Sequence, residues 1–355
     1  MVYRLFVIFI FFTVLGCQSD ELIKLDIPEE AFYFPPNNTT DWETTLPNKL
    51  NWNLNKLDEL ESFLINENTK SFMVLVEGKI VVEEYYNGHT VNDTWQWNSA
   101  GKTLVTATTG IAQQNGLIDI EDKVSKHLGD GWTNTTTQQE NLIKIKNLLS
   151  MTSGLNDEPQ LVVKSNLTYL ANAGTRWAYA NVFQRLMDII EKTSTTDFDS
   201  YFNNELRNKI GMTGFWNNGF IYRIYNSDAR SMARFGLLAS QNGKWDGKQI
   251  VNENFFIEST TTSQNINPSY GYLWWLNGKN EYMLPSSQTK FTGKLVLNAP
   301  KDMIAAMGKN GQRIYIVPSK NIVIIRMGEA TGSGNNFALS SFDTIFWEKF
   351  NEVVN

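Results

Sequence analysis

The strand-like stretches of this chain lie at its two ends, and that placement constrains the fold more than any other feature. Near the start, SFMVLVEGKIVVEEYYNG (71–88) sets two β-rich runs around Glu77–Gly78, the pattern of a hairpin. Near the end, IAAMG, GQRIYIVP and NIVIIRMG read as strands, the last two joined by a turn at Pro318–Ser319–Lys320–Asn321. Between them the texture is helical. Leu104, Val105, Ile111 and Ala112 keep helical spacing after Ser99 as far as Gly116, and LIKIKNLLSMTSGL (142–155) reads as a short helix stopped by Ser153–Gly154. Asn181 opens a helix that turns Val182, Phe183, Leu186, Met187, Ile189 and Ile190 inward, and FDSYFNNELRNKIG (198–211) is amphipathic. A closing helix puts Phe337, Leu339, Phe342, Ile345, Phe346 and Phe350 on one side. Strands this far apart share a core only if the chain ends meet. The expected class is α+β: an antiparallel β-sheet flanked by helices, with an inserted all-α subdomain at about 116–260.

The N-terminus calls for a separate account. LFVIFIFFTVL (5–15) is an apolar run too short for a comfortable membrane span but suited to a secretory signal. It leads to VLGC, which resembles the lipobox of bacterial lipoproteins, with Cys17 as the residue that would carry lipid. Residues 1–16 are thus expected to be a signal peptide. Residues 17–45, with Pro28, Pro35 and Pro36 and no periodicity, are expected to be a tether, and 46–355 the folded domain. Cys17 is the only cysteine, so once lipidated the chain forms no disulfide and stability must come from its core. Hydrophobic residues at 42% and charged residues at 19% suit a globular protein. A net charge of −6 argues against a nucleic-acid partner and against electrostatic adhesion to anionic lipid. The membrane contact expected is through acyl chains, in a bacterial cell envelope, either periplasmic or surface-exposed. The acidic QSDE after Cys17 resembles a surface-export signal of some lipoproteins. No sequence feature specifies an oligomeric state.

One stretch carries chemistry. In WQWNSAGKTL (95–104), Ser99 and Lys102 stand three apart where a helix begins, so their side chains share a face. A serine in a first helical turn meets free N–H groups, and a lysine buried beside it would lose solvation and become a usable base. Spacing alone is weak, because Ser287–Gln288–Thr289–Lys290 repeats it in a polar loop. Two further motifs support the first copy. Tyr179–Ala180–Asn181 precedes a helix, and Lys309–Asn310–Gly311 precedes the strand that opens with Gln312. Tyr85-x-Asn87 and Lys209-x-Gly211 are decoys, one ahead of the serine and one a helix end with its expected glycine.

In that order the three motifs resemble class C-type serine β-lactamases, DD-peptidases and their related esterases and amidases. LLSMTSGL (148–155), AGTRWAYAN (173–181), ARSMARFGLLA (229–239) and YGYLWW (270–275) extend the resemblance from about residue 50 to 350. It implies a β-lactamase/transpeptidase-like fold and an acyl-enzyme on Ser99. Lys102 and Tyr179 would share general acid and base roles, with their order open. Asn181 would bond Lys102 or the substrate amide. Lys309 would place positive charge near Tyr179 or a substrate carboxylate. The N–H groups of Ser99 and Gln312 would form the oxyanion hole, with Gly311 letting substrate lie against the strand. Lys309, where esterase-type relatives often carry histidine, leans the substrate towards a carboxylate. Ala173 replaces a frequent proline. Glu158–Pro159–Gln160–Leu161 lacks the asparagine of a class A-type deacylation motif.

An esterase or amidase is the leading expectation. A β-lactamase, a D-alanyl-D-alanine carboxypeptidase or a slow-turnover envelope sensor are the alternatives. With only His89 and His127, no Ser-His-Asp triad, zinc site or other cofactor is expected. TGSGNN (331–336) lacks the ending of a phosphate loop and reads as a turn. Trp95, Trp97, Trp177, Trp274 and Trp275 are expected in the core or in subdomain packing, with Tyr272 and Trp177 as alternative candidates for lining an acyl pocket.

Overall fold

The computed structural model describes residues 32–219, 221–333 and 339–354. The expected signal peptide, Cys17, the first part of the expected tether, Phe337 and residues 334–336 of the TGSGNN stretch lie outside the described residues. Helix α1 (Leu54–Asn66) leads into strands β1 (Thr69–Val76) and β2 (Lys79–Tyr85). A 3₁₀ turn (Asn98–Gly101) runs directly into α2 (Lys102–Gln114), and α3 (Arg185–Ser194), α4 (Ala229–Ser240) and α5 (Glu253–Ser259) follow. The chain then forms β3 (Trp275–Leu276), β4 (Ile304–Gly308), β5 (Gln312–Val317) and β6 (Ile322–Gly328), and closes with α6 (Ser341–Val354).

The ends do meet. One sheet runs β2-β1-β6-β5-β4-β3, antiparallel throughout, with Val74 of β1 opposite Ile324 of β6. Glu77 and Gly78 turn the first hairpin with φ of 51° and 85°, left-handed values that match the twist of the strands they join. On β5, Ile314 faces α4, where a side chain at Gly236 would fall 3.2 Å from it, while Tyr315 stacks on Phe346 of α6. Successive strand residues point to opposite faces, so helices cover both, and β5 and β6 are buried along their whole length.

The interior is fuller than periodicity suggested. Helix α2 is buried on every side from Lys102 to Ala112, its threonine hydroxyls returning to backbone carbonyls such as Leu104 O and Val105 O. The insert is helical but not all-α. Phe215–Asn218 pairs with Arg223–Ser227, which pairs in turn with Trp95–Gln96. These runs bury Trp216 and Tyr225 against the turn before α2. The helix expected over 142–155 spans only Ile145–Leu149; Met151 leaves it with φ of 59° and gives its carbonyl to Ala178 N. In α6, Ile345 is 37% exposed, and Asp343 and Trp347 take the buried places.

The expected tether also changes character from residue 32 onward. Ile80 N donates to Glu43 O and Thr45 N to Ile80 O, while Tyr33 N donates to Glu77 O. Arg234 donates to the carbonyls of Pro35 and Pro36, at 3.2 and 2.8 Å. Prolines lack donors and read as linker, but their carbonyls still accept. A buried guanidinium binds this segment to the domain.

Candidate active site

Ser99 sits in the 3₁₀ turn at the mouth of α2, and three elements hold that turn. Trp97 N donates to Tyr225 O at 2.8 Å, and the fully buried Trp97 indole donates to Ser227 Oγ at 2.8 Å. Asn98, with φ of 49°, reaches the β4–β5 connection and donates to Lys309 O at 2.9 Å. Gly308 completes the contact: a Cβ there would lie 2.4 Å from Trp97 O and 3.1 Å from Ser99 N. Only a glycine lets strand and turn close this far, so the serine and the Lys309–Asn310–Gly311 hairpin are fixed in one unit.

Lys102 Nζ lies 2.8 Å from Ser99 Oγ. The lysine is 3% exposed, and burial alone lowers its pKa to about 7. Its ammonium has no carboxylate partner among the described residues. Around it stand the rings of Tyr179 and Phe183, with centroids 4.6 and 4.7 Å away, and that of Tyr222 at 5.9 Å. Tyr179 is pulled the other way: burial raises its hydroxyl above the ordinary tyrosine value, and a hydrogen bond with Ser99 partly opposes this. At neutral pH the site therefore holds a neutral phenol and a half-titrated amine, both on one hydroxyl. Tyr179 is held by aromatic packing, stacked on Trp275 at 5.7 Å and edge-on to Tyr270 at 6.1 Å.

The four sequence-read groups Ser99, Lys102, Tyr179 and the 309–312 hairpin thus converge, and several expectations change. Asn181 does not bond Lys102; its amide donates to Gln160 O and Oε1, because the loop ahead of it folds back over the start of its helix. Gly311 is required by what lies behind it. Its φ is 72°, and a Cβ would fall 2.3 Å from Arg326 Nη1. Lys309 is exposed. The side chain of Gln312 turns inward, exchanging hydrogen bonds with Gly328, so its backbone is what remains for substrate. Trp177 packs fully buried behind Tyr179, and Tyr272 donates to Glu258, so neither lines the space above Ser99.

The decoys lie elsewhere. Tyr85 donates to Glu83, Lys209 pairs with Glu205, and Lys290 pairs with Glu281. His127 bonds Asp122, His89 packs edge-on to Trp95, and no metal-ligating cluster occurs among the described residues. Sequence reasoning missed Asn98, Phe183 and Tyr222, which carry no motif. It also passed over Arg313 and Arg326, whose signal was a charge inside an apolar strand.

The family model for Beta-lactamase matches residues 67–339, and the chain belongs to that family. An uncharacterised protein of Alkalihalophilus pseudofirmus is 25% identical over 335 residues, covering 80% of this chain and 94% of its own. A protein of Bacteroides dorei, named provisionally as a beta-lactamase, superposes with a TM-score of 0.68 at 17% identity, over 86% of this chain and 99% of its own. One from Bacillus anthracis, named provisionally as a 6-aminohexanoate-dimer hydrolase, gives 0.66 at 18% identity, over 90% and 89%. These likenesses are to the fold.

Proposed function

We propose that the protein is a serine hydrolase that opens an ester or amide through an acyl-enzyme on Ser99. The observation that carries the reading is the 2.8 Å contact between Ser99 Oγ and the buried, carboxylate-free amine of Lys102. Lys102, neutral in a large fraction of molecules near pH 7, takes the Ser99 proton as Oγ attacks the substrate carbonyl. The N–H groups of Ser99 and Gln312 receive the oxyanion. Tyr179, held protonated, passes its proton to the leaving group and takes one from Lys102 in exchange. Water then releases the acyl group by the reverse transfers. Opposed pKa shifts on two groups around one hydroxyl support these separate roles. Lys309, on the hairpin, supports a substrate with a carboxylate, which keeps the β-lactamase and carboxypeptidase reading as the second one. The lipobox-like VLGC supports a lipid anchor on Cys17 and a place in the cell envelope.

The test is intact-protein mass and product release after mixing the protein with benzylpenicillin or with a short-chain p-nitrophenyl ester, beside a Ser99→Ala variant. Turnover lost in Ser99→Ala is the expected outcome. Labelling equal in both proteins would remove Ser99 as the nucleophile.

A further inference from the structure

Arg313 on β5 and Arg326 on β6 are direct cross-strand partners, and both are buried, at 2% and 1% exposure. Two like charges side by side in a core are costly unless each is compensated. Arg313 is: its guanidinium forms two bonds to Asp343, at 2.6 and 2.9 Å. Arg326 is not. Among the described residues no carboxylate lies within ion-pair distance, and its donors go to Thr69 Oγ1, Glu67 O, Asn310 O and Gly311 O. Burial lowers its pKa only to about 10, so it stays charged at neutral pH. The chain also makes room for it twice. A Cβ at Gly311 would fall 2.3 Å from Nη1, and one at Gly328 would fall 2.7 Å from Nη2.

This guanidinium, without an ion-pair partner among the described residues, stands directly behind the hairpin. The Gly311 carbonyl, 2.9 Å from Arg326 Nη1, belongs to the same peptide group as the Gln312 N–H. Drawing electron density onto that oxygen strengthens the N–H as a donor, and a buried positive charge favours negative charge developing in front of it. The other hairpin carbonyls are also held: Gly308 O by Arg313 at 2.8 Å, Lys309 O by Asn98 at 2.9 Å, and Asn310 O by Arg326 at 3.2 Å. With its carbonyls bound by side chains, the hairpin has a fixed orientation before substrate arrives.

We propose that Arg326 is a positioning residue of the acyl-transfer site, holding the Gly311 carbonyl and polarising the Gly311–Gln312 peptide whose N–H stabilises the oxyanion. This rests on the reading above, in which Gln312 N–H meets the substrate carbonyl oxygen.

The test compares wild type, Arg326→Met and Arg326→Lys with a p-nitrophenyl ester and its thionoester, whose sulfur accepts hydrogen bonds poorly. Ser99→Ala serves as the control, and unfolding midpoints are measured in parallel. Arg326→Met is expected to lose roughly 10- to 100-fold in kcat on the ester, part of the loss for removing a donor outright. KM should change little, the thionoester should suffer less, and Arg326→Lys should recover part of the rate by restoring the charge. An unchanged ester kcat in folded Arg326→Met, or equal losses on ester and thionoester, would overturn the proposal. If Arg326→Met does not fold, the ester-to-thionoester ratio of Arg326→Lys decides in the same way. Hydrolysis by wild type that survives in Ser99→Ala would instead overturn the reading of the site itself.

Discussion

Replacing Lys102 by methionine should remove activity and yet stabilise the protein. Burial lowers the lysine from 10.5 to about 7, whereas in the unfolded chain it keeps its proton up to 10.5. At about 1.4 kcal/mol per pKa unit, holding this group in the folded state costs about 5 kcal/mol at pH 7. Losing the bond to Ser99 returns about 1 kcal/mol of that, and methionine fills a similar volume. Lys102→Met is therefore expected to be more stable than wild type by about 4 kcal/mol at pH 7. The sign with pH follows from proton counts. Between pH 7 and 10.5 the unfolded chain binds one more proton at this site than the folded one, so wild-type stability rises with pH and falls as pH drops. The variant lacks this dependence, and its advantage should shrink by about 1.4 kcal/mol per pH unit above 7. Urea unfolding of both proteins at pH 7, 8 and 9 reads the difference directly. Parallel pH dependences, or a variant less stable at pH 7, would refute a lysine held neutral by burial.

The same titration should appear in catalysis: kcat/KM of wild type is expected to rise through pH 7 as Lys102 loses its proton, measured across pH 5.5–9 with one ester. A flat profile would remove Lys102 as the base. At the other end of the domain, Gly78→Ala would place a Cβ 1.8 Å from Tyr33 O and demand φ of 85° from alanine. The expected result is release of the 32–45 segment, read as faster proteolytic cleavage there and a loss of more than about 1 kcal/mol in stability.

Patterns that repeat along the chain were legible in the sequence. Short β-rich apolar runs at 71–88 and 304–328 marked the strands, and the apolar stripes marked the helices, because each depends on neighbours within a few residues. The Ser99–Lys102 pair was legible for the same reason, since one helical turn fixes it. Local spacing carried less where a partner is remote. Pro35 and Pro36 read as linker because the Arg234 that binds them arrives from α4. Asn181 read as a partner of Lys102 or of the substrate amide, whereas its own amide goes to Gln160. The clearest case is Gly311. The sequence by itself determined that a glycine follows Lys309–Asn310, and its φ of 72° is a local fact. That the space behind it holds a buried guanidinium was decided only when β6 paired with β5 and set Arg326 against the hairpin. Register between strands is a property of the assembled sheet, and the electrostatics of this site depend on that register.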